Sequence, residues 1–504
     1  MDPIFELGLQ PLEKHSRDAV RRLVEQLKEA IGDGRLAPGS RLPSTRQAQD
    51  LFGVSRNTVA EVYDQLCSEG LIVARHGSGT YVADAPPPLA SRAAPAHPMA
   101  YRLNPIWERA DLVSAMRFWN DPAPPPREPK SATAIDLRPA LVDSRLFPFD
   151  DIRRTLAKQL RTLETRPSSL RSPQGNQGNF ALRSAITRHI AVTRAVACLP
   201  EDVLVTSGAQ QGFDLLARVL VTPGQTVVAL EDPGYPPMRA AFAAAGARVV
   251  SVGVDSAGLM VGAIPSEASI ICLCPSHQFP LGVTMSQERR NALVALARAR
   301  GAVIVEDDYD GEFRFDGEPL AALRSKDAAD VVFYVGTFSK CMLPTLRLGF
   351  VVAPPWAMAT LVLAKNCLDW HCPTAMQMAV ASFIAEGRLT QHVRKMRHMY
   401  RQRRQLLTDA LQGELGAWLE LIPSSYGMHL GAYLRDGIDA ENLLQRLAQG
   451  GVKMHSFARY YAGGHGRPGL VFGYGAADLS QLELALALLR CELAKSPGRQ
   501  RRLG

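Results

Sequence analysis

Two proline-rich stretches, "ADAPPPLASRAAPAHP" and "NDPAPPPREPK", interrupt the chain between residues 83 and 130 and constrain everything on either side of them. Proline lacks the N–H that a helix interior or a strand ladder needs, so a segment this rich in it cannot be folded through by one sheet or one bundle. The chain is therefore expected to be multidomain. A compact unit covers residues 1–83, a linker covers 84–133 with room for a short helix around "IWERADLVSAMRFW", and a large domain covers 134–504. An apolar fraction of 46% against 21% charged residues gives each unit enough material for a buried core.

Several classes of protein are disfavoured by simple features. The start "MDPIFELGLQ" places acidic residues where a signal peptide carries basic ones. The longest apolar stretch, "LGFVVAPPWAMATLVLA", is broken by Pro354 and Pro355, which predicts a strand followed by a helix start and no membrane span. The eight cysteines have neither zinc-ligand nor disulfide-framework spacing, so free thiols in a reducing cytoplasm and no metal site are expected. A net charge of +8 is compatible with a polyanionic partner without requiring one, and the basic runs "RKMRHMYRQRR" and "KSPGRQRRLG" read as solvated faces or tails.

In the small unit, Val20, Leu23, Val24, Leu27 and Ile31 recur at helical spacing before "GDGRLAPGSRLPS" breaks the pattern. Ser44 is placed to cap a second helix, "TRQAQDLF", and Ser55 a third, whose apolar face is Val59, Val62, Tyr63 and Leu66. Arg56, Asn57 and Thr58 then occupy the exposed first turn, where their donors suit base edges and phosphates in a major groove. "LIVARHGSGTYV" follows as a hairpin with Arg75 and His76 near its tip, so the unit reads as a mainly α winged helix-turn-helix. Acidic and basic side chains nearly balance over residues 1–82, which leaves a three-helix protein-interaction module as the competing reading. "GRLAPGSRLPSTRQAQDLFGVSRNTVAEVYDQLCSEGLIVARHGSGTYV" resembles the GntR-type DNA-binding domain throughout. The resemblance implies that double-stranded DNA is the partner and that Arg46, Ser55, Arg56, Asn57, Thr58, Arg75, His76 and Gly77 form the DNA-facing set.

The large domain alternates β-branched runs with helical segments, the pattern of an α/β sheet. "DVLVTSGAQQGFDLLARVL" is a strand, a turn and a helix, so the N–H groups of Ala209 and Gln210 face an anion at the helix start. "AVIVEDDYDGEF" brings Asp307 and Tyr309 to a strand end, and "VVFYVGTFSKCMLPTLRLGF" brings Lys340 and Arg347 to others. A lysine amine, a carboxylate, a phenol, an anion-binding helix start and an arginine together are what pyridoxal phosphate requires. The amine forms an imine with the cofactor aldehyde, the carboxylate keeps the pyridine nitrogen protonated, the phenol meets the ring oxygen, and the arginine and N–H groups take the phosphate.

Residues 134–490 resemble the fold-type-I aminotransferases, and with a GntR-type domain in front the whole chain resembles the MocR subfamily of transcription factors. The resemblance implies a homodimer with Lys340 as the Schiff-base lysine, Asp307 as the pyridine partner, Tyr309 as the phenol and Tyr235 stacked on the ring. Arg347, Ser339, Thr337 and Gln210 would hold the phosphate. Two departures stand out. "SHQFPLG" puts Phe279 where many aminotransferases carry an asparagine, leaving His277 or Gln278 as substitutes. In "GRPGLVFGYG", Val471 takes the place of the arginine that grips a substrate carboxylate. The expected function is a DNA-binding regulator that senses an amine metabolite, or pyridoxal phosphate itself, through Lys340 and has no net turnover. An active aminotransferase with an accessory DNA-binding module is the alternative.

Overall fold

Serine caps and apolar spacing set the small unit. The computed structural model describes residues 19–75, 77–84, 104–116, 134–165, 176–316, 320–327, 330–435 and 437–495, which group into one unit within residues 1–102 and another within 103–504. In the first, α1 (Ala19–Gly32) buries Leu23, Val24, Leu27, Ala30 and Ile31. Ser44 and Gln47 form a reciprocal capping box at the start of α2 (Thr45–Phe52), and Gly53 ends that helix in the left-handed region. Ser55 accepts from the Thr58 N–H at 3.1 Å to start α3 (Arg56–Ser68), which buries Val59, Val62, Tyr63 and Leu66. Two antiparallel strands, β1 (Ile72–Arg75) and β2 (Gly79–Val82), complete the wing. The winged helix-turn-helix expected from the sequence is therefore the observed architecture.

The second unit is α/β, as expected. It opens with a short turn at Pro105–Glu108 and α4 (Ala110–Met116), then β3 (Ile135–Asp136), α5 (Phe149–Thr165) and α6 (Phe180–Arg194). The sheet strands and their helices follow: β4 (Val203–Thr206), α7 (Ala209–Leu220), β5 (Val227–Asp232), α8 (Pro236–Ala244), β6 (Arg248–Asp255), β7 (Gly258–Leu259), β8 (Ile270–Leu273), α9 (Gln287–Arg300), β9 (Val303–Asp308), β10 (Val332–Thr337) and β11 (Gly349–Val352). The eight strands run in the order β4-β11-β10-β9-β8-β5-β6-β7. β11 is antiparallel to both neighbours, while β5, β6, β8, β9 and β10 are parallel.

Both faces of this sheet are covered, so its strands read as continuous apolar runs. Along β8, Ile270 and Cys272 pack with Phe213 and Leu216 of α7, whereas Ile271 and Leu273 pack with Leu293 and Ala297 of α9. β11 leads through Pro354 into α10 (Pro355–Leu368), so the longest apolar stretch is a strand and a helix. Then come α11 (Thr374–Ala385) and α12 (Arg388–Gln412). A second, antiparallel sheet has the order β12 (Leu419–Leu421), β13 (His429–Leu434), β16 (Gly469–Gly473), β15 (His455–Ser456). Its flanks are α13 (Ala440–Gln449) and α14 (Leu479–Ala494), and β14 (Val452–Lys453) pairs with β3.

One feature corrects the sequence reading. Part of the stretch assigned as linker packs on the large unit, where Leu112 and Ala115 of α4 are buried against Ala240 of α8 and Arg109 donates to the Ala243 carbonyl at 3.3 Å. Two apolar contacts on a seven-residue helix are too few to show as periodicity. The complementary surface, a run of small residues on α8, lies far along the chain.

Candidate functional site: a cofactor pocket and a DNA-facing surface

The carboxyl ends of β4, β5, β8, β9 and β10 share one edge of the large sheet, and antiparallel β11 begins there. Gly349 is in register with both Thr206 and Thr337. That topology delivers Ser207–Gln210, Tyr235, His277, Asp307, Tyr309, Lys340 and Arg347 to one place from six strand ends.

Lys340 is partly buried, and its ammonium donates to the Ala140 carbonyl at 2.6 Å. Desolvation draws its pKa down to about 8 against the opposing pull of Asp310 and Asp307. Asp307 is buried on β9, and burial, reinforced by Asp308, pushes its carboxyl up to about 8. Its Oδ1 has no hydrogen-bond partner among the described residues, and its Oδ2 has only the Cys274 thiol at 3.6 Å. A buried carboxylate oxygen left in this condition costs ~1–3 kcal/mol or more, so the site asks for a cationic donor at that point. The Tyr309 hydroxyl donates to the His277 carbonyl at 3.0 Å and lies 2.8 Å from His277 Nδ1. Tyr235, half-buried at the start of α8, meets the Phe279 ring edge-on at a centroid distance of 5.4 Å.

The anion side is built from backbone and one arginine. Gly208, at φ 81°, turns the chain into α7, and the first-turn N–H groups of Ala209 and Gln210 follow it. A Cβ on Gly208 would stand 3.2 Å from the Arg347 guanidinium, so the turn and the arginine approach each other as only glycine permits. Arg347 donates to the Ser207 carbonyl at 2.8 Å and itself adopts φ 49°. Thr337 and Ser339 hold each other, hydroxyl to hydroxyl at 3.0 Å and Ser339 N–H to Thr337 Oγ1 at 3.1 Å. The donor set, the solitary Asp307 oxygen and the Gly208–Arg347 cradle fit pyridoxal phosphate.

Of the two candidate substitutes for the ring-binding asparagine, Gln278 spends its amide on the loop. It donates to the Pro233 and Phe279 carbonyls at 2.7 and 2.8 Å and accepts from the Leu281 N–H. His277 instead reaches Tyr309 and Asp310. Phe279 packs between Tyr235, Tyr309 and His429. Gln210 donates from its side chain to Pro237 at 3.1 Å, which leaves its backbone N–H as its contribution to the anion side. Val471 is fully buried on β16, opposite Gly431 and His455. The nearby Arg467 pairs with Glu420 and stacks over Tyr433 at 3.8 Å. Sequence reasoning missed Ala140 and Asp310. The "DYD" repeat offered a signal for Asp310, whereas nothing local marks Ala140.

On the small unit, Arg46 of α2 is exposed, and at the start of α3 Arg56 and Asn57 are exposed and Thr58 is half-exposed. The Ser55 hydroxyl is engaged by the Thr58 N–H and hydroxyl, so its part here is that of a cap. Arg75 lies over the Tyr81 ring at 4.8 Å and 3.3 Å from Asp84, Gly77 is exposed, and His76 lies outside the described residues. Arg41, exposed and bridged to Tyr81 beside the wing, was not singled out by sequence.

Residues 141–467 match the family "Aminotransferase class I and II", and residues 19–82 match "Bacterial regulatory proteins, gntR family". The chain is 33% identical over 473 residues to the probable rhizopine catabolism regulatory protein MocR of Rhizobium meliloti, covering 93% of this chain and 92% of the relative. It is 31% identical over 468 residues to the pyridoxine biosynthesis transcriptional regulator PdxR of Corynebacterium glutamicum, covering 92% and 94%. Among solved structures it is similar to LysN, the α-aminoadipate aminotransferase of Thermus thermophilus, at 28% identity and TM-score 0.65, covering 72% of this chain and 92% of that one. An archaeal alanine:glyoxylate aminotransferase shares the fold at 23% identity and TM-score 0.70, covering 78% and 98%.

Proposed function

Because the chain belongs to the MocR subfamily of transcriptional regulators, with a GntR-type DNA-binding domain ahead of an aminotransferase class I and II domain, we propose that its large domain is a pyridoxal-phosphate-dependent sensor that sets operator affinity. The observation that carries this reading is the meeting of Lys340, Asp307, Tyr309, Tyr235 and Arg347 at one sheet edge, with Asp307 Oδ1 lacking a partner among the described residues. Pyridoxal phosphate, when bound, supplies an aldehyde that condenses with amines and a ring that absorbs visible light. Lys340 is the amine poised for it, Asp307 is the counter-charge to the ring nitrogen, and Tyr309 is the hydroxyl for the ring oxygen. Arg347, Thr337, Ser339 and the Ala209 and Gln210 N–H groups hold the phosphate, while Tyr235 covers the ring face.

The effector is an amine recognised without the usual carboxylate clamp, or the cofactor itself. Val471 offers no charge, and Arg467 is committed to Glu420 and Tyr433, so a simple α-amino acid lacks the bidentate grip that orients it for proton transfer. The protein acts as a homodimer. Exposed Leu363 and Leu368 of α10 and Trp370 just beyond it are apolar surface that supports a second copy. No helix among the described residues is long and apolar enough to cross a membrane, which is consistent with a cytoplasmic regulator.

The test follows the cofactor's visible band and operator affinity together while amines and pyridoxal phosphate are titrated into the protein–DNA complex. A ligand-dependent affinity change that disappears in Lys340→Ala supports the sensor. Sustained keto-acid production from an amino donor, with operator affinity indifferent to ligand, would establish the aminotransferase instead.

A further inference from the structure

Behind Tyr309, three side chains from separate segments meet in a closed polar cluster. His277 follows β8, Asp310 follows β9, and His429 begins β13. None is more than 2% exposed. His277 Nδ1 lies 2.9 Å from Asp310 Oδ2, and the two imidazole centroids are 4.5 Å apart. One ligand-capable atom from each of the three lies within 4.8 Å of the others.

A hydrogen bond assigns the proton of His429. The Pro280 carbonyl can only accept, so His429 donates to it from Nε2 at 3.0 Å and carries a bare lone pair on Nδ1. His277 directs Nδ1 at both the Asp310 carboxyl and the Tyr309 phenol. His277 Nε2 and His429 Nδ1 are both buried without a hydrogen-bond partner among the described residues. Two imidazole nitrogens without a partner, sealed beside a carboxyl, call for one more group in the cluster.

The outer contact of His429 has the form that metal-binding histidines use. A ligating imidazole donates its other N–H to a carboxylate or a backbone carbonyl, which fixes tautomer and ring orientation, and His429 does so to Pro280. Two imidazole nitrogens and a carboxylate oxygen suit Zn2+ and its first-row neighbours, whereas Mg2+ and Ca2+ select all-oxygen sites. The His277 ring packs directly on Gly427, which sits at φ 87° and where a Cβ would collide with that ring.

We propose that His277, Asp310 and His429 form a binding site for a divalent first-row transition ion, with Zn2+ the foremost candidate, set directly behind the Tyr309 phenol. The site does not depend on the cofactor for its ligands, so it is testable whether or not pyridoxal phosphate binds. It also gives His277 a partner that the cofactor pocket does not supply.

The experiment uses full-length, tag-free protein. Metal content is measured by mass spectrometry after growth with added zinc. Chelator-stripped protein is then titrated with Zn2+ against a chromophoric competitor and with Co2+, whose ligand-field bands report the donor set directly. One equivalent per chain is expected, with Zn2+ affinity falling ~100-fold or more in His429→Gln and in His277→Gln, and unchanged in His398→Gln, which removes an exposed histidine of α12. Circular dichroism checks the fold of each variant, and Asp310→Asn serves if either histidine variant is unfolded. Less than stoichiometric zinc with no Co2+ bands in the wild type would overturn the proposal. Binding undiminished in the folded ligand variants would likewise overturn it, by placing the ion elsewhere.

Discussion

Lys340 Nζ donates to the Ala140 carbonyl at 2.6 Å, and Ala140 holds that carbonyl in place from a left-handed backbone conformation at φ 65°. A non-glycine residue in that region costs ~1–2 kcal/mol, and here it positions an acceptor that keeps the amine aimed into the pocket. Lys340→Ala is expected to abolish the visible band of the reconstituted protein and to leave the thermal unfolding midpoint within a few degrees. A retained band would remove the lysine from the cofactor assignment.

Asp307 should matter through charge. Its Oδ1 has no partner among the described residues, so the counter-charge it gives to a protonated ring nitrogen is uncompensated when it is removed. Asp307→Ala is expected to weaken pyridoxal phosphate by about 10- to 100-fold, the ~1.5–3 kcal/mol of a hydrogen bond to a charged group. Equilibrium dialysis of the cofactor measures it, and unchanged affinity would count against the pyridine role.

The pH dependence has a definite sign. Desolvation lowers the Lys340 amine from its ordinary range to about 8. Only the neutral amine has a free lone pair, and its fraction grows as pH rises through about 8. Cofactor loading into apoprotein should therefore accelerate from pH 7 to 9 and level off above that. Stopped-flow absorbance decides it, since a rate that falls over this interval would contradict the assignment.

On DNA, exposed Arg56 at the start of α3 is the residue best placed to read a base. Arg56→Ala is expected to cost ~1–3 kcal/mol and to relax specificity at one position. Binding by the wild type should weaken with salt at a log–log slope of about −0.9 per phosphate neutralised. Anisotropy with an operator and a scrambled duplex separates the two effects. Equal losses on both duplexes would make Arg56 a phosphate contact.

Docking of α4 on α8 joins a segment of the linker to the helix that starts at Tyr235. Leu112 is 1% exposed in that contact. Leu112→Asp buries an unpaired charge and should release the segment, because such a change costs several kcal/mol where only a small patch holds the helix. Limited proteolysis should then cleave within residues 104–116 about 100-fold faster or more, since each ~1.4 kcal/mol is a tenfold shift. An unchanged rate would show that the contact contributes little.

The sequence by itself determined what short-range chemistry decides. Ser44 and Ser55 cap helices because a serine hydroxyl satisfies N–H groups two or three residues ahead. Pro354 and Pro355 end a strand because proline cannot continue its ladder. Asp307, Lys340 and Arg347 were legible because each sits beside a strand end marked by its own apolar run. Tertiary structure alone decided which of these ends coincide, and it did so through strand order, which no local pattern encodes: antiparallel β11 is what brings Arg347 to the edge where Lys340 and Asp307 lie. The same holds for the Ala140 carbonyl over Lys340, for Gln278 turning its amide into its own loop, and for α4 settling on α8. His277, Asp310 and His429 are the furthest case, since no spacing among them suggests a site. Their ligand atoms converge only because β8 and β9 are near neighbours in the large sheet and β13 arrives from the second one.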